Sequence, residues 1–514
     1  MFSKLAQALR TLRRRNSGKS LFMNSKGWRM RSLWWGVNRW LTWFHRWAGV
    51  VLGLLFVIWF SSGAVLYFVD FPALSRTDRQ QGSETIDMSR VLIEPAAALS
   101  KVPHGRDLRL ISVAGQPVYV AQRDNGAWVS VAADTGRVLP LFSATAARTV
   151  AERFSRESTL GISGPVEYDQ WIVHQRFDPF RPFYRIRLSD AAATDLYVSA
   201  RTGEVLQRTR FAERTWNWTG AVIHWIYFTP LRRSYSAWNY VVWWISLAAL
   251  ASSAVGTWLG VLRMASNRAA GRKGLSPFRG WMRWHHIMGL AASAIVVTWM
   301  LSGWLSMDHG RLFSRGEATA QQIEHLSGSS PLVIAQTVTL DSMGRMSPAA
   351  EIDFNALAGR VFITAYGAAR EPRIALLDES PPRIVPSLPD SLLFAAVNRV
   401  WPGEVHSILQ PDAYDDLYRR AESIPSSAAA FRVVGTSTSR VYVDRDSGHF
   451  SSVMDLSRRS YAWIYYALHT FQFPGLIEHP ALRAGLVLTL LALGFVASVT
   501  GVVLSVKRLQ REFA

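Results

Sequence analysis

Four stretches of the chain carry no acidic or basic side chain over a length that can cross a membrane: residues 47–69, 237–262, 287–307 and 484–506. A helix of about 20 apolar residues, rising 1.5 Å per residue, spans the hydrocarbon core, so the pattern predicts four transmembrane helices. Between spans one and two, and between three and four, the period shortens to two. Residues 117–121, the turn Asp124-Asn125-Gly126 and residues 128–132 predict a hairpin, with Asp134-Thr135-Gly136 as a further turn. In the second long segment 361–365 and 431–443 predict strands, with a turn at Asp446-Ser447-Gly448. Residues 146–154 and 391–400 have helical periodicity with one apolar face. The expected fold is an integral membrane α-helical protein with an α+β domain in each long segment.

Composition agrees: of 514 residues 49% are hydrophobic, with 22 Trp and 25 Phe. The net charge of +20 would suit a nucleic-acid binder if it were spread over a folded surface, but it is not. Residues 1–46 hold 11 Lys/Arg and no acid, 263–283 hold 6 and none, and 507–514 hold 3 against one Glu. This is the positive-inside bias, with basic runs placed to meet lipid headgroups rather than nucleic acid. The expected order is a cytoplasmic segment 1–46, span 47–69, periplasmic domain 70–236, span 237–262, cytoplasmic loop 263–286, span 287–307, periplasmic domain 308–483, span 484–506 and cytoplasmic tail 507–514. Both termini then face the cytoplasm of a bacterial inner membrane. The first span, too long for a signal peptide and without a small-residue cleavage site, is expected to remain as an anchor. With no cysteine in the chain, disulfides, thiolate-ligated haem and Cys-ligated iron–sulfur clusters are excluded.

The chain repeats itself. A shift of 240 positions superposes Phe44-His45 on Trp284-His285, Gly49 on Gly289, Trp59 on Trp299 and Ser62-Gly63 on Ser302-Gly303. A shift of 245 superposes Trp218 on Trp463, His224 on His469, Phe228 on Phe473, Ser253 on Ser498, Gly256 on Gly501 and Arg263 on Arg508. The strand Leu196-Tyr197-Val198 with Gly203 falls on Val441-Tyr442-Val443 with Gly448 at the same shift. Two tandem copies of one direction imply a pseudo-two-fold axis along the membrane normal.

Of 12 histidines, four recur in both copies. His45 and His285 sit near the inner ends of spans one and three, with Gly49 and Gly289 four residues on, where a missing side chain leaves room for a flat macrocycle. His224 and His469 precede spans two and four in aromatic segments that suit short helices at the outer interface. A lone His at a span boundary caps a helix or meets a headgroup. Two symmetric pairs instead suggest axial ligation of haem iron, His45 with His285 and His224 with His469, holding two b-type haems stacked across the bilayer. Pairing His45 with His224 would require ligands from opposite faces to meet. His286 competes with His285, although the 240-residue register and Gly289 favour His285. His174, His309, His406 and His479 lack mates and are read as structural, or as iron or proton handlers.

No P-loop or dinucleotide fingerprint is present, and the cytoplasmic loops are too short to hold NAD or flavin. Electrons must come from a separate donor, a quinol or a cytoplasmic reductant.

The segment Phe44-His45-Arg46-Trp47-Ala48-Gly49, with Trp59 and Ser62-Gly63 and their counterparts around His285, resembles the PepSY-associated transmembrane helix family. Residues 128–136, 195–204 and 440–448 are similar to the strand-and-turn hallmark of PepSY modules. The resemblance covers about Trp40 to Arg508 and includes ferrisiderophore reductases of the bacterial inner membrane. It implies PepSY-like periplasmic domains, two b-type haems, and reduction of ferric iron, held by a siderophore or another complex, in the periplasm. The alternative, from a different functional class, is a non-catalytic PepSY membrane sensor or peptidase-regulating binding protein with structural histidines.

Overall fold

The computed structural model describes residues 25–367, 371–410, 412–435 and 438–514. Residues 1–24 of the expected cytoplasmic segment, and 436–437 within the expected strand 431–443, lie outside the described residues.

Among the described residues four helices are long and apolar enough to cross a membrane: α1 (Ser25–Phe68), α2 (Tyr235–Ala269), α3 (Gly280–Ser306) and α4 (Pro480–Glu512). Each contains one expected span, short of it by one residue at Val69 and at Met307. They run on past the apolar stretches into basic sequence, α1 through Arg39 and Arg46 and α4 through Lys507 and Arg508. The hydropathy pattern marks where lipid begins, whereas the backbone bonds of a helix continue unchanged into water.

α1 packs beside α2 and α4, and α3 also packs beside α2 and α4, so α1 and α3 sit on one diagonal of the bundle. Across that diagonal Phe60 of α1 meets Trp299 of α3 with ring centroids 5.9 Å apart, and Val487 and Leu491 of α4 close the cluster.

Outside the bundle the described residues form three antiparallel sheets. In the first segment the strands are β1 (Gly105–Val113), β2 (Gln116–Arg123), β3 (Trp128–Ala132), β4 (Thr159–Val166), β5 (Phe183–Leu188), β6 (Asp195–Ser199) and β7 (Val205–Thr209). In the second they are β8 (Glu351–Leu357), β9 (Arg360–Tyr366), β10 (Arg373–Leu376), β11 (Arg383–Val385), β12 (Val405–Ile408), β13 (Ala429–Val434), β14 (Thr438–Val443) and β15 (Phe450–Met454). The hairpin expected over 117–132 is β2 and β3, paired as Tyr119 with Val131. The helices expected at 146–154 and 391–400 run from Ala144 to Ser155 and from Asp390 to Val400. The expected strand 431–443 is instead two strands, β13 and β14, paired antiparallel with Phe431 opposite Val441.

Strands β4–β7 and β12–β15 each make a four-stranded sheet, while the third sheet has seven strands in the order β11-β10-β9-β8-β1-β2-β3. The two segments therefore share one sheet, joined where β1 pairs with β8 through Arg109–Asp353, Leu110–Ile352 and Ile111–Glu351. Pairing these edges covers strands that would otherwise expose unpaired backbone groups.

A charged cluster crosses this seam. The short helix Arg76–Gly82, which follows α1, aims Arg79 at Glu204 (2.6 Å) and Glu351 (3.1 Å), and Arg76 at Asp353 and Glu351. Arg109 bonds both Glu204 and Glu351. Burial disfavours ionisation of Glu351, but Arg79, Arg109 and Arg76 outweigh it and hold this carboxyl well below the usual range. Asp353 goes the other way, because its burial and the nearby charge of Glu351 outweigh Arg76 and raise it.

Candidate functional site

The four repeated histidines occupy two levels of the bundle. His45 of α1 faces His285 of α3 with ring centroids 6.3 Å apart and planes inclined by 29°. His224 meets Ser62 of α1, and His469 meets Ser302 of α3. Seventeen residues separate His45 from Ser62, so at about 1.5 Å per residue the levels are about 25 Å apart along α1. Phe60 and Trp299, two and three residues before Ser62 and Ser302, pack with Phe471 beside the outer level, with Trp299 and Phe471 at 5.8 Å.

All four imidazoles are held in the same manner. His45 Nδ1 donates to the carbonyl of Ser252 at 3.0 Å. Ser62 gives its proton to the Trp59 carbonyl and so accepts from His224 Nδ1 at 2.9 Å. Ser302 donates to the Trp299 carbonyl and accepts from His469 Nδ1 at 3.1 Å. Thr500 donates to the Ala497 carbonyl at 2.6 Å and accepts from His285 Nδ1 at 3.2 Å. With Nδ1 carrying the proton, the neutral ring keeps its Nε2 lone pair, and among the described residues Nε2 of these four has no hydrogen-bond partner. An imidazole whose other nitrogen is anchored to an oxygen is the form that binds metal.

Glycines on the facing helices let the rings in. A Cβ on Gly256 of α2 would stand 2.4 Å from His45 Cε1, and one on Gly501 of α4 would stand 3.2 Å from His285 Cε1. Gly303 of α3 stands in the same relation to His469 at 3.1 Å, and Gly63 of α1 to His224 at 3.7 Å. Gly49 and Gly289 behave differently, since a Cβ on either would meet no atom within 4 Å. The space expected beside His45 and His285 is open, but the glycines that touch the imidazoles are others.

His224 and His469 sit in distorted turns rather than in regular interfacial helices. The helix Phe211–Asn217 passes into a π-turn over Trp218–Val222, and Leu456–Ala462 passes into a π-turn over Trp463–His469. Two residues after each histidine the chain turns through a left-handed residue, Ile226 at φ 55° and Phe471 at φ 56°. A β-branched isoleucine held there is strained, and such strain persists only where surrounding contacts enforce it.

His286 is unlike the four. Its Nε2 contacts the Gly260 carbonyl at 3.0 Å, its ring packs edge-on to Phe278, and its buried Nδ1 has no hydrogen-bond partner among the described residues. It faces α2, so the structure brings His285 and not His286 to His45. His309 contacts Asn239 at 2.8 Å between Tyr240 and Trp243, His174 caps the turn Gln175–Phe180, His406 is exposed on β12, and His479 precedes α4 without a side-chain capping bond. Burial, with the nearby charge of Arg232, pushes His174 down to about 4.

Sequence reasoning had aligned Ser62, Ser302, Gly256 and Gly501 only as repeat matches, without assigning them to the imidazoles. Their invariance between the two halves was the available signal. Ser252 and Thr500 carried none, because one acts through its backbone and the other has Val255 as its counterpart.

The family model for the PepSY-associated TM region matches residues 42–508. No curated protein and no solved structure matches the chain. With nearly its whole length matched and four apolar helices of spanning length, this multi-pass membrane protein belongs to the PepSY-associated TM region family.

Proposed function

We propose that this protein is a di-haem electron carrier that takes electrons across the bacterial inner membrane to ferric iron, probed most directly as a siderophore complex, in the periplasm. The observation that carries the reading is the set of four imidazoles, each anchored at Nδ1 and open at Nε2, at two levels of one bundle. Two imidazoles sharing one ion through bonds of about 2 Å have ring centroids about 6 Å apart, and His45 and His285 stand at 6.3 Å. The open space at Gly49 and Gly289 suits a flat ring between them. At the outer level His224 is held against Ser62 of α1 and His469 against Ser302 of α3.

A haem at each level would supply a reversible one-electron iron couple. The residues of the chain then position and insulate. Ser252, Thr500, Ser62 and Ser302 fix ring orientation and tautomer, while Phe60, Trp299 and Phe471 pack an apolar cluster against the outer level. Tyr465 stacks on His469 at 5.5 Å and contacts Tyr461, continuing an aromatic path toward the segment that holds the shared sheet.

Orientation follows from charge: the basic ends of α1 and α4 and the basic loop between α2 and α3 favour the cytoplasm, leaving the sheet domains in the periplasm. The tandem repeat accounts for the matched environments of His224 and His469. Freshly purified protein tests the reading by its absorption spectrum. About two haems per chain, reducible and b-type, with one lost in His224→Ala or His469→Ala, is the expected result. A colourless protein would leave the non-catalytic sensor as the better account.

A further inference from the structure

We infer that the groove between the inner ends of α3 and α4 binds a membrane quinol, in its reduced form, as electron donor to the inner histidine pair. The destination of the electrons rests on the di-haem reading, whereas the binding site stands on its own geometry.

The groove has a volume of about 380 Å³ and is lined by Gly280, Trp281, Trp284, Met288, Val496 and Thr500. That volume lies within the span of small-molecule sites, roughly 300–1,000 Å³. One end of its lining lies where Lys507 stands over the Trp281 ring at 5.8 Å, at the basic end of α4. Two indoles, a thioether and one hydroxyl suit a flat, mostly apolar ring with a polar substituent and an apolar tail.

The hydroxyl selects the oxidation state. Thr500 Oγ1 has one proton and two lone pairs. Its proton goes to the Ala497 carbonyl and one lone pair takes the His285 Nδ1 proton. The remaining lone pair can only accept, so it bonds a quinol O–H and offers nothing to a quinone carbonyl. An acyl chain, the other apolar occupant at this depth, has no group to place there. A quinol bonded here is one hydroxyl away from the imidazole of His285.

The duplicated sequence supplies an internal comparison. The positions 240 residues before Trp281, Trp284 and Met288 are Leu41, Phe44 and Ala48, and those 245 before Val496 and Thr500 are Ala251 and Val255. No hydroxyl is present in that set, and His45 bonds the backbone of Ser252 instead. One entry point per molecule follows, beside His285 and not beside His45.

In the reaction the two O–H bonds of the quinol break and the ring becomes a quinone. Two electrons leave one at a time toward the His45 and His285 pair, where a haem held by these residues would accept them, and two protons go to water at the basic end of the groove.

The test is equilibrium binding of decylubiquinol and decylubiquinone to the full chain in lipid nanodiscs under anaerobic conditions, with haem content read from each sample. The wild type is expected to bind the quinol about tenfold more tightly than the quinone, the worth of one well-made hydrogen bond. Thr500→Val should equalise the two, Met288→Trp should fill the groove and weaken both, and Val255→Ala should change neither. Val496→Phe fills the same groove from α4 and serves if Met288→Trp does not fold. Equal affinities that no groove variant alters would mean simple partition into lipid and would overturn the proposal. Selective binding to a protein without haem would uphold the site while overturning the di-haem reading.

Discussion

His45 and His285, on diagonally placed helices, turn their imidazoles toward each other at 6.3 Å between ring centroids. Neither neighbours the other in sequence, and each is steadied from a different helix, His45 by Ser252 of α2 and His285 by Thr500 of α4. All four spans therefore meet at the inner level.

The first prediction concerns the adjacent pair His285-His286. His285→Ala should lose about one of two haems, while His286→Ala should retain both, because its Nε2 is already engaged by Gly260. Haem quantified per chain decides it, and equal losses would show that the site does not depend on which ring faces His45.

A second prediction uses the close approach at Gly256. A Cβ there would stand 2.4 Å from His45 Cε1, so Gly256→Ala must push the imidazole off its place. Gly501→Ala, at 3.2 Å from His285, should have a milder effect. The inner-level spectral signal should be lost or shifted in the first variant and largely kept in the second. The reverse order would contradict the packing.

Gly49 gives a third, because a larger side chain there meets no protein atom within 4 Å. Gly49→Leu should leave folding intact, as judged by melting, and yet exclude a macrocycle from the inner level. Unchanged haem content in a folded Gly49→Leu variant would place any bound haem elsewhere.

Removing the hydroxyls that orient the outer rings should weaken haem binding without abolishing it. Loss of such a partner typically costs metal sites about 10–100-fold in affinity. Ser62→Ala and Ser302→Ala are expected in that range by haem titration, since His224 and His469 both rely on these groups. Affinities equal to wild type would argue that the surrounding packing alone fixes the rings.

The charged seam of the shared sheet predicts a pH dependence. Burial and the charge of Glu351 raise the Asp353 carboxyl, so the folded state holds this proton more tightly than the unfolded chain does. Its contribution to stability is present at low pH and is lost as pH rises from about 4, the ordinary carboxylate value, through the raised one. Asp353→Asn removes that slope. Relative to wild type, the variant should gain stability between pH 5 and pH 8, by about 1.4 kcal/mol for each pH unit between 5 and the raised value. The opposite slope would mark Asp353 as an ordinary ion-pair carboxylate.

The sequence by itself determined the spans, the strands of the first hairpin and the four histidines, because each leaves a local signal: uncharged length, alternation, or recurrence at a fixed shift. It also pointed to the levels of the histidines, through their distance from the span ends. Only the tertiary structure decided which ring nitrogen is anchored, that His285 and not His286 faces His45, and that Gly256 and Gly501 touch the imidazoles. Helix rotation sets these, and in a bundle apolar on every side nothing in the pattern fixes rotation. The β1–β8 seam is hidden for a related reason: its partners, Arg109 and Asp353 among them, lie in segments separated by two spans, and edge pairing depends on where the bundle places them.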